Sequence, residues 1–381
     1  MKNPFFPEIH GKFGFGCMRL PKLGEEIDEA QVCQMVDAFL EAGLNYFDTA
    51  HGYLSERSEP TLKACLTSRY PRESFLLTDK LTGNYFQTEA DIRPLFRKQL
   101  DACGVDYFDF YLMHAQNARN FEHFKACRAY ETAFELKAEG RIRHVGLSFH
   151  DTAEVLDKIL TEYPQIEVVQ IQFNYLDYQD VAVDSRRVYE TAVRHGKPVI
   201  VMEPIKGGTL INLPDEARKI YDGIGVSPAE MALRFAAGFE HMTMVLSGMS
   251  SLEQMQDNLR FMVEPKPLTE AELGAIDRVV EHFRSLNLIP CTGCRYCTDG
   301  CPMGILIPDI FSCVNKFTQF HDWNQIRYYR DVLTREHAKA SECLKCGMCE
   351  DSCPQGLQIR DLLEKAVELF EKEEDDRIAD K

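Results

Sequence analysis

The sequence predicts an α/β fold in which a (β/α)8 barrel (TIM barrel) at residues 1–285 is followed by a smaller, mostly helical domain at residues 286–381. Apolar residues repeat with a period of two and then of about 3.6, eight times in series, which is typical of alternating strands and helices. Such units need a parallel sheet, and eight strands close into a barrel. After residue 290 this alternation stops, and eight of the 14 cysteines fall in two short blocks.

The strands are predicted where apolar residues alternate between turn or cap residues. They cover residues 12–20, 45–50, 74–81, 108–114, 142–149, 168–175, 198–205 and 243–249. The helices are predicted at residues 28–42, 55–68, 88–102, 121–139, 152–162, 185–195, 227–239 and 251–262. Asp28 suits the N-cap of the first helix and Gly43 the position after its end. Residues 206–226 are predicted as a long loop.

An open, doubly wound sheet is the rival fold, and the start of the chain disfavours it. Such a sheet needs a glycine-rich phosphate turn after its first strand, and residues 14–16, Gly-Phe-Gly, are too few. In a barrel the reactive side chains lie at the carboxyl ends of strands. Asp48, Tyr53, Lys80 and His114 all fall at the ends of the second, third and fourth strands.

These four residue types suit the reduction of a carbonyl group. A free tyrosine has a pKa of about 10 and donates its proton poorly near neutrality. A cationic Lys80 close to Tyr53 is expected to lower that pKa, and Asp48 to keep Lys80 charged. His114 is expected to hydrogen-bond the substrate oxygen. The alternative is a structural ion pair beside a packed aromatic ring, and four such residues at consecutive strand ends disfavour it.

The motif YFDTAHGY at residues 46–53, followed by a strand-end lysine and a strand-end histidine, resembles the aldo-keto reductases. The resemblance covers residues 12–285. It implies an oxidoreductase that reduces a small carbonyl compound with NAD(P)H, or oxidises an alcohol with the oxidised form of this nicotinamide cofactor. It also implies that Asp48, Tyr53, Lys80 and His114 are the catalytic residues, with Tyr53 as the general acid.

The same resemblance implies where the nicotinamide cofactor binds. Two positions match those that hold the carboxamide, four lie in the segment that supports the nicotinamide and the pyrophosphate, and two match the adenosine end. In chain order these positions are Ser148 and Gln170, then Met202, Pro204, Lys206 and Gly207, then Gly248 and Asn258.

Two positions depart from the family pattern. Met202 stands where a tyrosine often stacks on the nicotinamide. Gly248 and Gln254 stand where NADPH-preferring members present basic residues, with only Arg260 near. Because a 2′-phosphate needs a cation, these residues favour NADH.

The cysteine blocks predict two [4Fe–4S] clusters. Each block has the spacing C-x2-C-x2-C-x3-C-P, in which three thiolates bind one cluster and the fourth closes the other. Zinc sites usually pair two C-x2-C turns, and disulfides need an oxidising compartment. The interposed helical sequence makes this domain resemble helical ferredoxin modules. The predicted ligands are Cys291, Cys294, Cys297, Cys301, Cys343, Cys346, Cys349 and Cys353.

Composition excludes several classes of protein. The chain is 45% hydrophobic and 27% charged, with a net charge of −17, and no basic patch suggests a nucleic-acid partner. No apolar run approaches the roughly 18 residues of a membrane-spanning helix. The first residues, MKNPFFPEIHG, contain no apolar signal core. A cytoplasmic protein without a membrane partner is therefore predicted.

The combination of a nicotinamide site with clusters leaves the electron route open. A nicotinamide passes two electrons as a hydride, whereas a cluster accepts one at a time, and a flavin normally converts between them. The sequence shows no flavin motif, but the barrel mouth has room for FMN. Three hypotheses remain: a carbonyl reductase whose clusters exchange electrons through a flavin or a redox partner protein, a reductase with structural clusters, and a non-enzymatic barrel on an electron carrier.

Overall fold

The computed structural model describes residues 3–179, 185–208, 210–286, 288–289, 291, 293, 295–320, 324–353 and 356–372. The chain forms two compact units. The first comprises Met1–Ile211 and Val226–Leu273, and the second comprises Asn212–Gly225 and Gly274–Lys381. The second unit thus takes in two segments that precede residue 286. Within the described residues, no helix has both the length and the apolar character needed to cross a membrane.

Eight parallel strands close into a barrel in the first unit, which confirms the predicted fold class. Each strand pairs with its neighbours in sequence, and the first strand also pairs with the last. The strands are β1 (Phe13–Gly16), β2 (Tyr46–Asp48), β3 (Leu76–Leu81), β4 (Phe108–Gln116), β5 (Ile142–Phe149), β6 (Val168–Gln172), β7 (Val199–Met202) and β8 (Met242–Gly248).

Helices follow the strands and cover the outside of the barrel with their apolar faces, so the strands are buried on both sides. The helices up to residue 285 are α1 (Glu29–Glu41), α2 (Ser58–Leu62), α3 (Glu89–Cys103), α4 (Ala118–Ala126), α5 (Ala129–Ala138), α6 (Ala153–Glu162), α7 (Ser185–Arg194), α8 (Asp215–Asp222), α9 (Pro228–Ala237), α10 (Leu252–Met262) and α11 (Glu270–Ser285). Thr88 and Asp91 form a capping box at α3, and Asp28 caps α1 as predicted.

Several predicted element boundaries were wrong. The first strand ends at Gly16 rather than at residue 20, because the chain turns directly after its last ladder bond, in which the Cys17 N–H donates to the Asp48 carbonyl at 2.8 Å. The predicted helix 121–139 is two helices, since Arg128 has a left-handed φ of 52°. The predicted loop 206–226 contains α8, which begins after Pro214.

The second unit is helical, as the sequence predicts. Its remaining helices are α12 (Tyr296–Asp299), α13 (Ile307–Phe320), α14 (Asn324–Arg327), α15 (Met348–Asp351) and α16 (Ile359–Phe370). Phe311, Tyr329 and Phe370 are fully buried in its core. These aromatic rings therefore pack the helices together. Trp323, another aromatic residue of this stretch, lies outside the described residues.

Candidate active site

A buried lysine joins the predicted catalytic residues at the carboxyl ends of β2 and β3. Lys80 Nζ lies 2.6 Å from Asp48 Oδ1, 2.7 Å from the Thr49 carbonyl oxygen and 3.3 Å from the Tyr53 hydroxyl. The Lys80 side chain is 0% exposed. The structure thus brings three of the four predicted residues into direct contact.

The loop that carries Tyr53 has an unusual backbone. Leu54, Ser55 and Glu56, which follow it, all have left-handed φ values, between 54° and 65°. Side chains disfavour this conformation, so the predicted helix 55–68 begins only at Ser58. The extra turn keeps Tyr53 beside the strand ends.

Burial and charge act in opposite directions on these groups. Burial raises the pKa of Tyr53, and the positive charge of Lys80 offsets only part of this rise. The predicted lowering of that pKa was therefore wrong, because burial outweighs the cation. Burial lowers the pKa of Lys80, but Asp48 and Tyr53 raise it more, so it stands above its ordinary value. At neutral pH the lysine is charged and the phenol is protonated.

His114 faces the same phenol as a neutral imidazole. Its ring centroid lies 6.1 Å from that of Tyr53, edge to face. Burial, and then the charge of Lys80, lower the pKa of His114 to about 3. Its Nδ1 lies 2.7 Å from Thr82 Oγ1. If the Thr82 hydroxyl donates this hydrogen bond, the imidazole carries its proton on Nε2.

The two predicted carboxamide ligands are buried and already hold one partner each. Gln170 Nε2 donates to Asp48 Oδ2 at 3.1 Å, and Ser148 Oγ accepts from the Ala115 N–H at 2.8 Å. The bond from Gln170 helps to fix the carboxylate that holds Lys80. Within the part of the chain that the structure describes, the Gln170 oxygen and the Ser148 hydroxyl proton have no partner.

The predicted pyrophosphate segment forms a tight turn after β7. Met202 is half-buried at the strand end and Pro204 is buried. Lys206 Nζ lies 2.5 Å from Asp177 Oδ1, so this lysine is already paired. Gly207 and the glycine after it have φ values of 65° and 99°, a left-handed region that suits glycine.

The predicted adenosine end lies after β8, beside a residue that the sequence analysis missed. Asn258 Nδ2 donates to Ser247 Oγ at 3.3 Å. A Cβ added to Gly248 would lie 3.3 Å from the Cδ atom of Arg19, which follows β1. Arg19 was missed because residues 12–20 were predicted as one strand, whereas it follows the end of β1 at the barrel mouth. Its only sequence signal is a positive charge next to the end of that strand.

A second polar cluster lies behind Lys80, on the outer face of β3. The acidic oxygens of Glu59 and Asp79 and the sulfur of Cys103 lie within 4.8 Å of one another, and all three residues are buried. His51 Nδ1 lies 2.7 Å from Glu59 Oε2. Burial raises the pKa of Glu59 to about 7, and burial and the adjacent Glu59 raise that of Asp79 well above its ordinary value. The two carboxyl groups therefore hold protons that exposed carboxyl groups would lose.

The two cysteine blocks have the same backbone conformation. In each block the residues before and after the second cysteine, and the third residue after the fourth cysteine, have left-handed φ values. These pairs are Gly293 and Lys345, Arg295 and Gly347, and Gly304 and Gly356. A short helix follows the second cysteine in both blocks, α12 in the first and α15 in the second. The sequence repeat is therefore also a structural repeat.

One cavity in the second unit gathers cysteines from both blocks. Cys301, the fourth cysteine of the first block, lines it together with Cys343, Cys346 and Cys349 of the second. Four thiolates around one space fit a [4Fe–4S] cluster, and the combination of three plus one fits the exchange of the fourth ligand. By the repeat, we expect Cys291, Cys297 and Cys353 to form the other set, whose remaining predicted member, Cys294, lies outside the described residues.

Comparisons with known proteins agree with both parts of the chain. Residues 12–281 match the model of the aldo/keto reductase family, and residues 290–358 match that of a 4Fe-4S dicluster domain. The uncharacterised oxidoreductase YqkF of Bacillus subtilis is 26% identical over 303 residues, which cover 69% of this chain and 90% of that protein.

Two further matches bear on the barrel. The NADH-specific methylglyoxal reductase of Escherichia coli is 28% identical over 169 residues, 39% of this chain and 50% of that protein. Among solved structures, aldo-keto reductase AKR11C1 from Bacillus halodurans in its holo form superposes with a TM-score of 0.57 at 26% identity. The superposition covers 70% of this chain and 91% of the chain of that structure.

The raised pKa of Glu59 predicts a pH-dependent stability. Because the folded state keeps this proton up to about pH 7 while the unfolded chain loses it near 4.5, the free energy of unfolding falls as pH rises through that window. We expect Glu59→Gln to remove on the order of 2 to 3 kcal/mol of the fall between pH 5 and pH 8 in anaerobic urea unfolding.

Glu56→Gln is the matched control. Contact with Lys98 lowers the pKa of this exposed carboxyl group, so its titration lies below pH 5. An equal pH profile for wild type and Glu59→Gln contradicts the prediction.

Proposed function

This chain belongs to the aldo/keto reductase family and carries a 4Fe-4S dicluster domain, and from that premise we propose that it interconverts a carbonyl compound and its alcohol with a nicotinamide dinucleotide. The observation that carries the proposal is the contact of Lys80 Nζ with both the Asp48 carboxylate and the Tyr53 hydroxyl. A purely structural ion pair does not need a phenol beside its cation. A phenol that donates a proton, in contrast, needs a cation beside it to stabilise the phenolate.

Tyr53 is the proton donor of the proposed reduction. A reduced nicotinamide, when bound, supplies the hydride for the carbonyl carbon. The Tyr53 hydroxyl gives its proton to the carbonyl oxygen, which becomes the alcohol. The phenolate left behind lies 3.3 Å from the Lys80 ammonium, which stabilises it, and Asp48 keeps that ammonium charged. The raised pKa of Tyr53 keeps the proton in place until the carbonyl oxygen accepts it.

His114 orients the carbonyl group in this proposal. Because its pKa lies near 3, it is a neutral hydrogen-bond donor at any physiological pH. Thr82 acts as a positioning residue, since a hydrogen bond from its hydroxyl to Nδ1 leaves the proton on Nε2. The Nε2–H then donates to the carbonyl oxygen and stabilises the negative charge that develops there.

Ser148 and Gln170 supply complementary groups for the carboxamide of the nicotinamide. The Ser148 hydroxyl accepts from a backbone N–H and keeps its own proton to donate, and Gln170 donates to Asp48 and keeps its oxygen to accept. A carboxamide has one acceptor oxygen and one donor NH2 group, so the two residues satisfy both of its ends. The same bond from Gln170 links the cofactor site to the carboxylate that holds Lys80.

The helical domain stores single electrons in this proposal. A cluster accepts one electron at a time, so exchange with a two-electron reaction in the barrel needs a flavin such as FMN or a redox partner protein. The spectrum of anaerobic protein after denaturation tests the first route. Released flavin supports exchange within the chain, and its absence leaves exchange through a partner protein or clusters with a structural role.

Tyr53→Phe tests the proton donor. We expect the variant to bind NADH and NADPH as the wild type does but to reduce carbonyl compounds, screened with methylglyoxal among other small aldehydes, about 10² to 10⁴ times more slowly, since the general acid is lost. Dinucleotide affinity and steady-state turnover are the measurements. Tyr46→Phe, which removes a buried hydroxyl in β2, is the control. Equal loss in both variants contradicts the assigned role.

Thr82→Val tests the orientation of His114. Loss of the hydroxyl leaves Nδ1 without its partner, so we expect kcat to fall roughly tenfold while dinucleotide affinity stays unchanged. Thr82→Ser keeps a hydroxyl at the same place and should retain most of the activity. Full activity in Thr82→Val, which keeps the size of the side chain without its hydroxyl, contradicts the role of this hydrogen bond.

Cysteine variants test the exchange of ligands between the blocks. We expect about eight irons per chain in anaerobically purified protein and about half as many in Cys301→Ala or Cys343→Ala. The double variant should lose no more iron than either single one, because both residues bind the same cluster. Cys313→Ala, in α13 and outside both blocks, should keep all the iron. A double variant with almost no iron contradicts the shared site.

A further inference from the structure

Arg19 crosses the rim of the barrel from β1 towards β7. Its backbone carbonyl accepts a hydrogen bond from Ser250 Oγ at 2.9 Å, which holds the segment after β1 against the segment after β8. Its Cβ, Cγ and Cδ atoms lie 3.3 to 3.4 Å from the place of a Cβ on Gly248. Its Nη2 atom lies 3.2 Å from the place of a Cβ on Gly207. The side chain therefore uses the space that two glycines leave open.

The guanidinium of Arg19 is exposed, and within the described residues no carboxylate pairs with it. This is unusual in a chain with 60 acidic and 43 basic residues, where most arginines at the barrel surface have an acidic partner. An arginine presents five N–H donors in a planar fork that suits phosphate oxygens. Arg19 is thus a cation with its binding capacity unused.

Two other cations and a backbone donor of the segments after β7 and β8 are already engaged. Lys206 is paired with Asp177, and Arg260 is paired with Asp257. At the start of α10, the Leu252 N–H donates to Gln31 Oε1 at 3.0 Å.

Two further donors there are taken in the same way. The Gln254 N–H donates to Ser251 Oγ, and the Ser250 N–H donates to Gln254 Oε1. Gln254, predicted from the sequence to lie near the ribose, therefore caps its own helix. Arg19 remains a cation without an acidic partner among the described residues.

We propose that Arg19 binds a phosphate group of the dinucleotide, and this inference rests on the function proposed above. Its tip lies beside the predicted pyrophosphate segment at Gly207, and its stem lies on the predicted adenosine end at Gly248. Two phosphates are within the chemistry of this site, the pyrophosphate shared by NADH and NADPH and the 2′-phosphate of NADPH alone. If Arg19 binds the 2′-phosphate, the preference for NADH that was predicted from the missing basic residues is reversed.

Titration of the purified holoprotein with NADH and with NADPH, at low and moderate ionic strength, tests the inference. We expect Arg19→Gln to weaken binding by about 10- to 100-fold, the loss of a charge-assisted bidentate contact. An equal loss for both dinucleotides assigns the pyrophosphate. A loss for NADPH alone assigns the 2′-phosphate. Arg19→Lys should recover part of the affinity, because it restores the charge without the fork.

Arg119→Gln is the matched control. This exposed arginine lies in the first turn of α4, after β4, so its substitution removes the same charge at the carboxyl ends of the strands without touching β1, β7 or β8. Unchanged affinity in Arg19→Gln, or an equal loss in Arg119→Gln, overturns the role of Arg19. A wild type that binds neither dinucleotide instead overturns the proposed function, and this inference with it.

Discussion

The structure depends on a charged lysine placed where water does not reach. An ammonium ion in the interior is costly unless other groups replace its hydration. The Asp48 carboxylate and the Thr49 carbonyl, at 2.6 and 2.7 Å from Lys80 Nζ, do so. The pairing of β2 with β3 sets Asp48 opposite Thr78, so Lys80 follows two residues later on the same face. The contacts that replace the hydration of Lys80 also hold its ammonium group beside the Tyr53 hydroxyl.

One strand serves polar groups on both of its faces. Lys80 points into the barrel, and Asp79, its neighbour in β3, points outward to Glu59 and Cys103. The Lys80 N–H donates to Asp79 Oδ1, and its carbonyl accepts from Gln99 Nε2. The outer cluster therefore fixes the backbone from which the lysine extends. Asp79, which belongs to the outer cluster, and the charged Lys80 inside the barrel are thus adjacent residues of β3.

Structural features that repeat along the chain were predicted from the sequence, whereas features that depend on contacts between distant residues were not. Alternation of apolar residues located all eight strands, and the strand ends located Asp48, Lys80 and His114. The last ladder bond of β1 joins Cys17 to Asp48, which is distant in the sequence, so no local pattern marks where this strand ends. For the same reason Arg19 was missed. Charge is visible in a sequence but depth of burial is not, so the pKa of Tyr53 was predicted in the wrong direction.

The second unit includes a segment from the middle of the barrel sequence. Residues 212–225 belong to it, and α8 buries Ala217 and Tyr221 there. A truncation after residue 273 would therefore not yield a clean barrel, because it would expose the apolar side of a helix whose neighbours had been removed. During synthesis the same helix leaves the ribosome long before those neighbours exist. Residues 212–225 therefore complete their packing only after the later part of the second unit has been made.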